Sequence, residues 1–310
     1  MQKNSKIFVA GHKGLVGSAI TRHLEKEGYN NLLLRTHAEL DLLDQKAVSE
    51  FFAKEKPEYV ILAAARVGGI MAHVERPAQF GYQNIQIQNN VINSSYLNGV
   101  KKLLFLGSNC IYPKITPQPI KEEYLMTGTL EKTNEAYAIA KISGIMLCRA
   151  YNKEYGTNYV SVMPANLYGP NDNFDLVSSH VFPAMIRKFH DAKMRGDKTI
   201  TLWGTGIAMR EFLHADDLAA ACVYIMNSEN GDDLINIGSG VDLTIKELAE
   251  TMKRIIGFEG DIVWDTSKPD GTPRKLLDIT RLNKLGFKQF IGLEDGIKST
   301  YKWYIESLEK

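Results

Sequence analysis

A short apolar run, Lys6-Ile-Phe-Val-Ala10, leads directly into Gly11-His-Lys-Gly14-Leu-Val-Gly17 and then into a stretch, Ser18 to Glu27, that reads as a helix ending at Gly28. Strand, glycine loop and helix in that order constrain the fold more than anything else in the chain. The helix's first amides have no intrahelical partner and face whatever the loop encloses, an arrangement that holds a pyrophosphate. Gly11, His12, Lys13, Gly14, Leu15, Val16 and Gly17 are therefore the expected phosphate cradle of a dinucleotide. The bland alternative is a tight β–α turn.

The alternation continues. Asn31-Leu-Leu-Leu-Arg35 reads as a second strand, 47–54 as a helix and Tyr59-Val-Ile-Leu-Ala63 as a buried strand. A long helix over 77–98 and another buried strand, Lys102-Leu-Leu-Phe-Leu-Gly-Ser108, follow. This pattern predicts an α/β fold with a doubly wound parallel sheet, ligands lying at the carboxyl ends of the strands. Ala63, Ala64 and Ala65, at one such end, are small enough for a cofactor to lie against the backbone. A site for NAD ends its second strand with Asp or Glu, which binds the ribose 2′-hydroxyl. Here that position is Arg35, with Lys13 near it in the loop. Two cations and no carboxylate at that corner favour a 2′-phosphate, hence NADP(H), over a merely solvated Arg.

Composition removes other classes. The 310 residues suggest one large or two medium domains. With a formal net charge of +1 and no basic block, nucleic-acid binding by bulk charge is not expected. No apolar run approaches the ~18 residues of a membrane span, and the polar stretch Met1–Lys6 does not read as a signal peptide. Cys110, Cys148 and Cys222 are widely spaced, which suits a reducing, cytoplasmic setting. Neither they nor His12, His23, His37, His73, His190 and His214 show metal-ligand spacing. Cys148 and Cys222 read as core residues of helices.

Tyr137 and Lys141 lie in Asn134-Glu-Ala-Tyr-Ala-Ile-Ala-Lys141, four residues apart. A helix stacks that pair on one face, about 6 Å apart along its axis. An ammonium beside a phenol is expected to favour the phenolate and lower a pKa of about 10. Such a pair can pass a proton to or from a carbonyl oxygen. Ser108, at the carboxyl end of its strand, is a candidate third member, or else a turn residue.

The glycine loop together with Ser108, Tyr137 and Lys141 resembles the extended short-chain dehydrogenase/reductase superfamily. Within it the chain is similar, along essentially its whole length, to the GDP-L-fucose synthase family. The most specific stretches are Ser108-Asn-Cys-Ile-Tyr-Pro113, Ser178-Ser-His-Val181 and Lys268-Pro-Asp-Gly-Thr-Pro-Arg-Lys-Leu-Leu-Asp278. Asn109-Cys110 stands where the superfamily's sugar-nucleotide dehydratases carry Asp-Glu, so dehydration is disfavoured. The resemblance implies an NADP-dependent oxidoreductase and epimerase. Its substrate would be GDP-4-keto-6-deoxy-D-mannose, epimerised at C3 and C5 and then reduced at C4 to GDP-L-fucose. It implies Cys110 as base, His180 as acid, Ser108 and Tyr137 on the reacting oxygen, and Lys141 tuning Tyr137 and gripping the nicotinamide ribose. It also extends the cofactor set to Asp41, Leu42, Leu106, Gly107, Asn109, Pro164, Ala165, Asn166, Leu167 and His180. The chemistry is sound: a C4 ketone acidifies the hydrogens at C3 and C5, which a thiolate can remove and an imidazole can return. The plain alternatives are an inert buried Cys110 and a His180 that simply opens a helix behind a Ser178 or Ser179 cap.

Substrate contacts are expected in the later segments. Trp203 offers a flat face, Arg210 and Lys188 suit a diphosphate, and Asp270 could accept from a base or a sugar hydroxyl. The family often has Arg at the positions of Lys13 and Lys188, and Lys keeps the charge without the bidentate geometry. Residues 1–170 and 212–238 are expected to form the cofactor domain, with a smaller α/β substrate lobe from 171–211 and 239–310. Helices are expected over 244–256 and 292–308. The resemblance implies a homodimer through the helices 77–98 and 134–155. Competing readings are another sugar-nucleotide epimerase or reductase of the superfamily, and a silent NADP-sensing protein that would not need a tuned proton donor.

Overall fold

The computed structural model describes residues 1–309 except 177, 230–233, 269 and 289; Pro269 of the Lys268–Asp278 stretch thus lies outside the described residues. From the N-terminus run β1 (Ile7–Ala10), α1 (Leu15–Lys26), β2 (Leu32–Leu33), α2 (Gln45–Glu55), β3 (Tyr59–Leu62), α3 (Ile70–Glu75), α4 (Pro77–Leu97), β4 (Lys102–Leu106), α5 (Glu135–Tyr155) and β5 (Tyr159–Pro164). Then come β6 (Asn166–Tyr168), α6 (Val181–Arg195), β7 (Thr199–Trp203), β8 (Met209–His214), α7 (Ala215–Asn227) and β9 (Leu234–Ile237). The last are β10 (Asp242–Thr244), α8 (Ile245–Ile256), β11 (Asp261–Asp265), β12 (Arg274–Lys275), α9 (Thr280–Lys284) and α10 (Leu293–Leu308).

Six strands form a parallel sheet in the order β2-β1-β3-β4-β5-β9. The chain steps outward from β1 to β2 and returns to build the rest of the sheet on the other side of β1. A crevice opens at that reversal, at the carboxyl ends of β1 and β3. α4 and α5 pack side by side, and α1 packs against α7. Every residue of β4 and β5 is buried, so these strands read as continuous apolar runs rather than alternating ones. Lys102 is the charged exception. Its Nζ donates to the Ile225 and Ser228 carbonyls, 2.6 and 2.7 Å away at the end of α7, where a cation suits the helix dipole.

A second core gathers Tyr168, Phe182, Phe189, Met252, Ile297 and Tyr304 from α6, α8 and α10 and the strands beside them. α8 and α10 fall where the sequence predicts helices, and Thr244 with Glu247 closes a capping box on α8. Two features differ from the expected division. β8 pairs with β6, β10 and β12 and does not enter the parallel sheet, although α7 and β9 after it do return. Leu277, Leu282 and Phe287 pack on the larger core, so 277–287 is not part of the smaller one. The reason is polar as well as apolar: the buried Asn236 on β9 donates to the Ile120 and Asp278 carbonyls and ties that segment down.

Candidate active site

The loop after β1 is sterically closed around itself. Gly11 adopts φ +86°, and a Cβ there would come within 2.8 Å of the Ala64 backbone, while a Cβ on Gly17 would collide with the Gly11 carbonyl. Gly14 caps α1 without a side-chain hydrogen bond, and no acidic residue occupies the first turn. The amides of Leu15, Val16 and Gly17 are thus available to an anion. His12 Nδ1 is buried without a partner at the same loop. Burial and the neighbouring Lys13 push its imidazole down. Ala63 donates to the Ala10 carbonyl, so the small residues after β3 line the same crevice. These features fit a dinucleotide.

The corner at Arg35 differs from expectation. β2 stops at Leu33, and the Arg35 guanidinium pairs with Glu55 at 3.1 Å and lies over Phe51. A carboxylate is therefore present, and it holds Arg35 rather than repelling a ligand. Glu39 also feels both Arg35 and Lys13, although Thr36 is the main cause of its lowered pKa. Asp41 accepts from the Leu43 amide, and Asn90 of α4 donates to the Leu42 carbonyl, which fixes this loop beside the sheet.

At the carboxyl end of β4, beyond Leu106 and Gly107, Ser108 Oγ accepts the Cys110 amide and hydrogen-bonds Tyr137. Asn109 is buried in the short 3₁₀ turn that follows. Lys141 Nζ donates to the Leu106 carbonyl at 2.7 Å and lies 5.9 Å from the Tyr137 ring. The expected lowering of Tyr137 does not occur. Burial pushes its phenol up, the charge on Cys110 adds to this, and only Ser108 opposes. Lys141 bears the cost instead, and burial alone pushes its ammonium down to about 7. Desolvation outweighs the mutual attraction because both groups are buried.

Asn134, one turn before Tyr137, donates Nδ2 to Cys110 Sγ at 3.1 Å. An N–H aimed at sulfur suits an anionic acceptor. His180 is the N-cap of α6, and neither serine before it caps that helix; Ser178 bonds Asp175 instead. His180 is exposed by surface area yet crowded by protein, and the loss of surrounding water pushes its imidazole down. Its loop is held by Gly69, whose amide donates to the Ser178 carbonyl at 2.9 Å and where a Cβ would meet the Ser179 carbonyl at 2.7 Å. His73, on α3, joins the groups. Its ring lies 5.1 Å from that of Tyr137 and 4.1 Å from Phe80, and His180 bears on its charge. Burial, with help from His180, pushes His73 down to about 4. Sequence reasoning left out His73 and Asn134. Asn134 could have been found from its one-turn offset to Tyr137, whereas a lone His on a short helix carries no signal.

Pro164, Ala165, Asn166 and Leu167 run from the carboxyl end of β5 into β6, with Asn166 donating to the Glu211 carbonyl. Trp203 is 57% exposed and is not a core residue. Lys188 and Lys268 both lie over its ring, at 5.8 and 5.5 Å, and Lys188 also donates to the Thr201 carbonyl. Arg210 sits beside Asp270 with its charge partly desolvated. Asp270 also holds its own loop. Its two oxygens accept from the Thr205 amide and hydroxyl at 2.7 and 2.8 Å, so it shapes the turn at Gly204–Gly206.

The sequence profile of the NAD dependent epimerase/dehydratase family matches residues 7–238. The chain belongs to that family. Within the family it is 58% identical over 306 residues to GDP-L-fucose synthase 1 of Arabidopsis thaliana, covering 99% of this chain and 95% of that protein. Among solved family structures, a GDP-6-OMe-4-keto-L-xylo-heptose reductase from C. jejuni matches with a TM-score of 0.94 and 44% identity, covering 99% of each chain. A GDP-L-fucose synthetase from Naegleria fowleri bound to NADP matches with a TM-score of 0.94 and 32% identity, covering 100% of this chain and 95% of that one. These relatives set the chain in the GDP-L-fucose synthase branch of the family.

Lys141 permits a test of its burial. Its pKa is about 7 in the fold and about 10.4 in an unfolded chain. Below pH 7 folding carries the full cost of a buried charge. Between those values the unfolded chain holds the extra proton, so stability rises with pH. Lys141→Met should raise Tm by about 2–5 °C at pH 6, because the cost removed exceeds the roughly 1 kcal/mol of one lost hydrogen bond. The gap should narrow toward pH 10, while turnover falls by about 10²-fold or more. A Tm difference independent of pH, read by calorimetry, would show that burial of the charge is not the cause.

Proposed function

We propose that this chain is a GDP-L-fucose synthase, converting GDP-4-keto-6-deoxy-D-mannose to GDP-L-fucose by epimerisation at C3 and C5 and reduction at C4. The observation that carries the reading is the presence of a sulfur and an imidazole around one buried phenol. Cys110 bears on the charge of Tyr137, and His180 on that of His73, whose ring lies 5.1 Å from the same phenol. A plain ketone reductase needs the Ser108–Tyr137–Lys141 set and no such pair.

Cys110 Sγ, with the Asn134 N–H on it, takes the proton from the carbon beside the ketone. His180 returns a proton to the opposite face. Negative charge gathers meanwhile on O4, where the Ser108 and Tyr137 hydroxyls donate hydrogen bonds. NADPH, when bound, supplies the hydride for C4. Tyr137 protonates O4 at that stage, and its raised pKa keeps it a donor until the oxyanion forms. Lys141, already directed by the Leu106 carbonyl, can turn to a ribose hydroxyl at modest cost. Trp203, flanked by two ammonium groups, and Arg210 suit the base and diphosphate of the sugar nucleotide.

Arg35 and Lys13 support NADP(H) over NAD(H), with Glu55 orienting the guanidinium rather than neutralising the preference. A homodimer is supported by exposed apolar side chains on the paired helices: Tyr82 and Leu97 on α4, and Ile139, Met146 and Tyr155 on α5.

Cys110→Ala should abolish solvent-deuterium uptake at C3 and C5 of the keto substrate while leaving NADPH affinity within about twofold. Uptake at the wild-type rate, read by NMR, would remove Cys110 as the base. Arg35→Gln should weaken NADPH binding by about tenfold and spare NADH, because only a 2′-phosphate uses the guanidinium. Equal loss for both cofactors would mean that Arg35 merely braces the loop through Glu55. Light scattering should give about twice the 34.8 kDa chain mass, and Ile139→Glu with Met146→Glu should halve it. A wild-type chain of single mass would sink the dimer.

A further inference from the structure

Arg66 follows the three alanines at the carboxyl end of β3, one of the two strands between which the crevice opens. Its backbone is fixed. The Arg66 amide donates to Asn84 Oδ1 at 2.9 Å, and Asn84 Nδ2 donates back to the Arg66 carbonyl at 3.0 Å. Asn84 is itself buried on α4 and also binds the Phe80 carbonyl, so the Arg66 backbone is held to that helix. The Arg66 side chain runs over the Phe80 ring, with the guanidinium carbon 5.8 Å from its centroid. Phe80 in turn packs on His73 at 4.1 Å and edge-on to Tyr137 at 6.4 Å. The guanidinium is therefore one ring away from the reacting phenol.

Among the described residues no carboxylate pairs with Arg66, and its Nε is buried with no acceptor. Three other cations of the site do have partners: Arg35 has Glu55, Lys141 has the Leu106 carbonyl, and Arg210 has the Met209 carbonyl. A half-buried guanidinium loses water on folding, and a fold that leaves it unpaired carries that cost unless a ligand repays it. A planar, permanently charged fork is the geometry for a phosphate oxygen.

We propose that Arg66 is a phosphate-binding residue of this site, completing its hydrogen bonds on the diphosphate of a bound nucleotide. The inference rests on the function proposed above, which brings two diphosphates to this crevice, one in the dinucleotide cofactor and one in the sugar nucleotide. Both present the same chemistry to a guanidinium.

Binding, not turnover, tests it. Calorimetric titration of the full-length wild-type protein, Arg66→Gln and Arg66→Lys with NADPH and separately with GDP gives four ratios. Arg66→Gln should raise the Kd of one ligand by about tenfold or more, and Arg66→Lys should raise it by only a few-fold, since the charge remains. Loss confined to GDP assigns the contact to the sugar nucleotide, and loss confined to NADPH assigns it to the cofactor. Thermal melts should leave both variants close to wild type, because the bonds to Asn84 are made by the backbone. Affinities within twofold of wild type for both ligands would overturn the proposal and leave the epimerase–reductase reading intact. A wild-type protein that bound neither ligand would instead sink that reading, and Arg66 with it.

Discussion

The burial of two ionisable groups one helical turn apart on α5 is the constraint to which the rest of the site answers. Tyr137 and Lys141 are both taken out of water, and the fold must keep one as a neutral phenol and the other as an ammonium on a carbonyl. A surface pair at the same spacing would exchange a few tenths of a kcal/mol and little else. Inside protein the exchange is weaker than the cost of desolvation, which drives the two pKa values apart in the directions that disfavour charge. The site therefore holds its potential charge in reserve. A developing oxyanion between Ser108 and Tyr137 would find donors already aimed and little water to compete.

That constraint explains what the sequence shows well and what it hides. The parallel sheet was legible because each strand is an apolar run bounded by turn residues, and β4 and β5 are buried along their whole length. The glycine loop was legible because Gly11 and Gly17 are required by backbone contact, which no other residue tolerates. Tyr137, Lys141, Ser108 and Cys110 were legible as a set because they fall within two neighbouring segments of known order. The sign of the Tyr137 shift was not, since spacing reports proximity and says nothing of burial. Asp270 illustrates the same limit. Its loop reads as a binding loop, but the hydrogen bonds of its carboxylate to Thr205, a partner 65 residues away, are not visible in it. Arg35 is a third case. The absence of a carboxylate beside it in sequence hid Glu55, which α2 delivers across 20 residues.

The division into lobes was legible only in part, for a topological reason. β8 carries apolar residues suited to a buried strand, but its hydrogen-bond partners are β6, β10 and β12. Glu211 within it shows why the two lobes do not separate along the chain. Its carboxylate is buried and accepts from the amides of Gly240 and Leu277, at 2.6 and 2.9 Å, thereby joining two later loops to one strand. Burial pushes that carboxyl up to about 7, against the hydrogen bonds that favour the anion. Next to it Asn236 gathers Ile120, Glu122 and Asp278. Segments far apart in sequence converge on these two side chains, which no local pattern could reveal.

The same logic bears on how the acid and the base proposed above, carried by different parts of the fold, would act on one ring. Cys110 is fixed by the sheet, through Ser108 and the turn after β4. His180 opens a helix of the smaller core and is not fixed by the sheet at all. What connects them is α3 and the residue before it. Gly69 binds the Ser178 carbonyl and leaves room for Ser179 only because it lacks a side chain, and one turn on His73 faces both Tyr137 and the His180 charge. A reductase of this fold needs only the groups carried by β4 and α5. Proton transfer from both faces of a ring needs the two lobes held in register, and the short α3 segment is where this chain meets that demand.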